Sequence, residues 1–140
     1  MRANKQTITV NTTIHSTIEK VWDLWTKPEH ITHWNFASED SCCPSATNDL
    51  RPGGAFVWRM EAKDGSMGFD FTGTYIEIMG KELISYNMTD GRFVSITFLQ
   101  KGDNVLLTET FEAERTNSEE QQRACWQAIL ENFKNYVETN

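Results

Sequence analysis

DLRPGGAFVWRMEAKDGSMGFDFTGTYIEI, residues 49–78, reads as two long strands joined by a tight turn and preceded by a Pro-Gly-Gly break. Phe56, Trp58 and Met60 alternate with Val57, Arg59 and Glu61, so one face of the first strand is bulky and apolar while the other carries charge. Lys63-Asp64-Gly65-Ser66 supplies the turn, because Asp-Gly accepts a positive φ at little cost. The second strand, predicted over 67–79, exceeds the usual length of about five or six residues, and Gly68 and Gly73 are natural places for it to bend. A long strand bent at glycines curls a sheet around something, either a helix alone or a helix and a ligand.

Outward from the hairpin, residues 7–14 alternate Ile8, Val10, Thr12 and Ile14 with polar neighbours, a strand pattern. Ser16 and Glu19 have capping-box spacing ahead of a helix predicted over 17–25, and Pro28 suits the first turn of a second short helix over 28–33. Strands follow over 83–88, 92–100 and 105–113, the last two joined by the turn Lys101-Gly102-Asp103-Asn104. The clearest helix comes last. Ser118 and Gln121 offer a second capping box, and Trp126, Ile129, Leu130, Phe133 and Val137 recur at three and four residues. Only the concave face of a sheet is large enough to cover that stripe. The expected architecture is α+β: a strand, two short helices, a strongly curved antiparallel sheet of about six further strands, and a long C-terminal helix gripped by it.

Composition narrows the setting. At 140 residues the chain is expected to form one domain, with its core over about 7–138. A net charge of −7 supplies no electrostatic footprint for nucleic acid or an anionic membrane. No apolar run follows the basic residues near the start and none elsewhere reaches the length of a span, so neither a signal peptide nor a membrane span is expected, and the address is cytoplasmic. Cys42, Cys43 and Cys125 make a poor disulfide framework, which agrees with a reducing compartment.

The candidate site is apolar. Trp34, Phe36, Phe56, Trp58, Met60 and Phe98, with Trp126, Leu130 and Phe133 from the last helix, either line a pocket for a ring or acyl chain or are ordinary core. So many large aromatics converging on one helix favour a sheet that keeps a gap. Glu109 falls beside Leu107 and Phe111 on the inward face, where an unpaired carboxylate is costly. It then serves as a ligand anchor or a general acid or base; the alternative is a bulged strand that lets it reach solvent. Arg59 is expected on the outer face, and Asp70 is expected to pair with a basic neighbour across the hairpin. No metal or other cofactor is expected: His30 and His33 stand three apart, and adjacent cysteines such as Cys42 and Cys43 rarely ligate one ion together. Walker, Rossmann and Gly-x-Ser-x-Gly motifs are missing.

In order along the chain, V-W-D-L-W-T at 21–26, P-E-H-I at 28–31, H-W at 33–34, D-L-R-P-G-G at 49–54, F-T-G-T-Y-I-E at 71–77 and the Trp-led final helix resemble the SRPBCC or START-like superfamily. Within it they resemble the branch named after the activator of the heat-shock protein 90 ATPase, over about 7–138. Two departures are visible: Asn35-Phe36-Ala37 where members often have a second Trp, Gly and Pro, and Thr108-Glu109 where they often have Thr-His. The resemblance implies a helix-grip fold with an elongated cavity between sheet and C-terminal helix. Relatives use such cavities for lipids, sterols, hormones, polyketides and aromatic compounds. The function expected is non-enzymatic binding of a small hydrophobic or aromatic molecule. A protein-interaction module with a chaperone or other partner, and a cyclase- or hydrolase-like enzyme using Glu109, are the alternatives.

Overall fold

The structure, a computed structural model, describes residues 6–140. Its elements run β1 (Thr7–Ile14), α1 (Ile18–Thr26), α2 (Pro28–Ile31), β2 (Ser41–Asn48), β3 (Ala55–Ala62), β4 (Gly68–Met79), β5 (Leu83–Met88), β6 (Phe93–Lys101), β7 (Asn104–Glu112) and α3 (Glu119–Glu138). The strands form one antiparallel sheet in the order β1-β7-β6-β5-β4-β3-β2. This curled half-barrel around a long C-terminal helix, with two short helices after the first strand, is the helix-grip fold. Each consecutive strand folds back on its neighbour from β2 to β7, and only β1 enters from afar, to pair with β7.

α3 is held to the sheet in two ways. Its stripe is inserted into the concave face, leaving Leu130, Phe133 and Val137 with no solvent exposure beside the equally buried Ile8, Ile14 and Leu107. Its flank closes the open edge of β1. The Arg123 guanidinium donates to the Thr9 carbonyl at 2.9 Å, the Gln127 amide to Asn11 at 2.9 Å and the Lys134 ammonium to Thr13 at 2.7 Å. These are alternate carbonyls of an edge strand, whose free acceptors would otherwise invite another chain. Ser118 and Gln121 close the expected capping box at the start of α3.

Several local expectations are corrected. The first capping box does not form: Thr17, not Ser16, is the N-cap of α1, and its hydroxyl accepts from the Lys20 amide at 3.2 Å, because Ser16 is already turned back onto the Ile14 carbonyl. α2 stops at Ile31, and residues 32–34 continue only as a tight turn, with the His33 amide bonded to the His30 carbonyl. β2 is not legible in the sequence as a strand. Pro44 interrupts it and shifts its register between Cys42 and Ser45, which an edge strand tolerates.

In β4 the pairing irregularity falls between Tyr75 and Glu77 rather than at a glycine. Gly73 instead makes room: a Cβ there would stand 2.6 Å from the Phe56 ring and 2.5 Å from the Asn87 carbonyl oxygen. The close approach of Phe56 to β4 therefore requires the missing side chain. Gly73→Ala is expected to cost about 1–3 kcal/mol through overpacking, read as a lower urea midpoint at unchanged slope. An unchanged midpoint would mean that Phe56 is free to move away. At the hairpin tip, Gly65 takes φ 77° and the Asp64 carboxylate accepts from the Ser66 amide at 2.8 Å, as Asp-Gly predicts.

Candidate functional site: an aromatic cavity with one buried carboxyl

The sheet and α3 separate towards the N-terminal half of the helix and leave a cavity of about 900 Å³. Its closed end is a ring cluster: Trp25 stacks on Trp34 at 4.7 Å, and Phe133 meets both edge-on at 4.9 and 4.8 Å. The Trp34 indole donates to the Leu24 carbonyl, and the Trp34 carbonyl accepts from Asn132 on α3, so this end joins both short helices to the long one.

The sheet wall is built on Trp58, which stacks between Phe56 (4.2 Å) and Phe71 (5.4 Å). One side chain fixes that wall. The Asn48 amide oxygen accepts from the Trp58 indole at 2.9 Å and from the Tyr75 hydroxyl at 3.1 Å, while its nitrogen donates to the Thr26 carbonyl at 2.7 Å. The helix wall is Trp126, lying flat on Phe111 at 3.9 Å and 11°, with Ile129 one turn on. Around the mouth stand Met67 and Phe69, 60% and 48% exposed, with Thr89, Asp90, Arg92, Glu114 and Asn117.

Glu109 sits midway along this space. β7 pairs without irregularity on both sides, placing Glu109 between Val10 and Ile96, so the strand does not bulge and the carboxyl points inward, 5% exposed. It forms no hydrogen bond or ion pair with the described residues and opens onto the cavity. Burial alone pushes its pKa from the usual range up to about 8, so at neutral pH it is mainly the uncharged acid. Tyr86 also lines the cavity; burial, reinforced by the neighbouring Glu109 charge, holds its phenol well above the ordinary value.

Of the residues picked from sequence, Trp34, Trp58, Met60, Glu109 and Trp126 line the cavity. Phe36, Phe56, Phe98, Leu130 and Phe133 do not: Phe56 backs Trp58, Phe98 packs on Trp22 and Trp25, Leu130 and Phe133 fill the solid half under α3, and Phe36 lies outside the lining. Missed were Trp25, Asn35, Phe71, Tyr86, Met88 and Ile129. Tyr86 carried a readable signal, the alternation of Ile84, Tyr86 and Met88 in β5. The basic neighbour of Asp70 across the hairpin is Arg59, at 3.4 Å, which also pairs with Glu61 at 2.8 Å.

No group of three or more His, Cys, Asp or Glu side chains converges to hold a metal among the described residues. His30 bonds the Tyr136 hydroxyl at 2.7 Å, His33 stacks on the same ring, and burial raises the Cys43 thiol to about 11. No described helix is long and apolar enough to cross a membrane.

Residues 15–138 match the family described as Activator of Hsp90 ATPase homolog 1-like protein. The solution structure of the AHSA1-like protein from Aeromonas hydrophila is 42% identical, with a TM-score of 0.90 over 96% of this chain and 93% of that one. A Cytophaga hutchinsonii protein is 48% identical, with a TM-score of 0.83 over 99% and 94%. A Chromobacterium violaceum protein, at 21% identity and a TM-score of 0.82 over 96% and 99%, shares the fold. No curated protein matches the chain.

Proposed function

The chain belongs to the Activator of Hsp90 ATPase homolog 1-like family, and from that premise we propose that it binds a small apolar or aromatic molecule in the cavity between sheet and C-terminal helix. One observation carries this reading: a buried carboxyl with no hydrogen-bond or ion-pair partner among the described residues opens onto an aromatic-walled space of about 900 Å³ instead of being packed over. Ligand sites have this make-up, mostly apolar walls with few polar groups that fix orientation. A core built only for stability has no use for Glu109, since an apolar residue of similar size there avoids the desolvation penalty.

The proposed setting is the cytoplasm, which suits free Cys42, Cys43 and Cys125. We assign no catalytic step, because no cavity nucleophile is hydrogen-bonded to a base among the described residues. A second reading, a protein-interaction module of the kind the family's name describes, is supported by exposed Met67 and Phe69 at the mouth.

Titration with the neutral fluorophore N-phenyl-1-naphthylamine is expected to saturate with a Kd on the order of micromolar, about 8 kcal/mol of binding free energy. Trp126→Ala, which removes the helix wall, should weaken it severalfold. Absence of saturable binding to cooperatively melting protein would favour the interaction module.

A further inference from the structure

We infer that the ligand of this cavity carries a positive charge, an ammonium or similar group on an aromatic or apolar body, seated against the Glu109 carboxyl. The inference rests on the binding reading above and deepens it. It starts from the charges that line the space. Asp70, Asp90, Glu109 and Glu114 are acidic, and Arg92 is the one basic side chain in the lining among the described residues. Arg92 is engaged by Asp90, its guanidinium bonding that carboxylate at 2.9 Å with its side chain 16% exposed, although its charge still reaches Tyr86. Asp70 is offset by Arg59 from outside. Glu114 accepts from the Asn117 backbone and side-chain amides, and neither it nor Glu109 pairs with a cation among the described residues. Once Glu109 ionises, its charge has no basic partner of its own among the described residues, and the low-dielectric walls leave it little screened.

Glu109 supplies the point of attachment. Val10 and Ile96 flank it across β1 and β6, and Leu107 and Phe111 flank it along β7. The titratable or charged groups sharing its space are Tyr86 from β5, Arg92 and Asp90 at the β5–β6 turn, Asp70 from β4, Glu114 after β7 and Cys125 from α3, while β1 contributes none. Burial raises the Tyr86 phenol, and partial burial with the Glu114 charge raises the Cys125 thiol, so neither supplies the counter-charge that an ionised Glu109 calls for. A ligand cation does. It pairs with the carboxylate and lies among the rings of Trp58, Phe71, Tyr86 and Trp126, which attract cations through their quadrupoles. A ligand carboxylate meets the opposite: two acids desolvated together in one apolar space.

Three probes with one ring system separate the possibilities: (1-naphthylmethyl)trimethylammonium, 1-naphthalenemethanol and 1-naphthoate, titrated at pH 7 by tryptophan fluorescence and calorimetry. The ammonium should bind about tenfold more tightly than the alcohol, and naphthoate more weakly than either. Glu109→Gln should bring the ammonium-to-alcohol ratio to within about threefold of one. In the wild-type protein the ammonium affinity should fall up to about tenfold per pH unit below pH 8, as Glu109 must release its proton to receive the cation, while alcohol affinity stays level. That wild-type measurement stands even if the variant folds poorly. Equal affinities for all three probes, or tightest binding of naphthoate, overturn the charge assignment and leave the cavity reading in place. Saturable binding of none overturns both.

Discussion

Glu109→Gln is expected to be the more stable protein at pH 8.5 and about equal to the wild type at pH 4.5. The sign follows from linkage. The folded-state pKa of Glu109 is raised to about 8 from the ordinary value of 4.5, so between these values the unfolded chain sheds a proton that the folded chain keeps. Stability falls with rising pH across that window and levels off above it. At about 1.4 kcal/mol per pH unit, the full penalty is roughly 4–5 kcal/mol, a large part of a typical domain stability of about 5–15 kcal/mol. The substituted glutamine keeps the shape and does not titrate, so the variant's profile lacks this slope. Other shifted groups, such as Glu138 with its pKa lowered by the His15 amide and Lys134, are common to both proteins and cancel in the difference. Urea unfolding at half-unit steps from pH 4.5 to 8.5 reads the effect, and parallel profiles would mean that the carboxyl is solvated.

Removing α3 by ending the chain at Ser118 should abolish cooperative folding. The helix contributes Leu130, Phe133 and Val137, each fully buried, and their loss alone forfeits about 1.5–3 kcal/mol apiece. Trp126 and Ile129 add to this, and the deletion uncovers Ile8, Ile14 and Leu107 on the sheet. It also frees the Thr9, Asn11 and Thr13 carbonyls along the edge of β1, turning a capped edge into one that pairs with other chains. Circular dichroism during urea unfolding should show no sigmoidal transition, and light scattering should show association. A truncated chain that still melts cooperatively as a monomer would contradict the grip of sheet on helix.

The fold was legible because its longest elements keep one period throughout. The alternation of Val105, Leu107, Glu109 and Phe111 placed a carboxyl inside the molecule, and the spacing of Trp126, Ile129, Leu130, Phe133 and Val137 placed a helix over it. β2 escaped because Ser-Cys-Cys-Pro-Ser-Ala-Thr-Asn has neither alternation nor bulk, and its pairing is imposed by β3. The site was only half legible for a related reason. Alternation tells which face a ring occupies but not how far the helix stands off the sheet at that point. Phe56 and Trp58 share a face, as do Trp126 and Phe133, yet in each pair only the tryptophan reaches the cavity. Asn48, which orders the sheet wall through three hydrogen bonds, lies in the strand whose pairing was not visible.

The claim that this cavity is a binding site is tested most directly by following the naphthylamine titration through the indole Nε1–H resonances of the five tryptophans. Trp58 and Trp126 face the cavity from opposite walls, Trp25 and Trp34 close its end, and Trp22 lies outside, packed on Phe98. With ligand in the cavity, the Trp58 and Trp126 signals should move together along one saturable curve while Trp22 stays in place. Movement of Trp22 alone, or linear drift of all five without saturation, would contradict it.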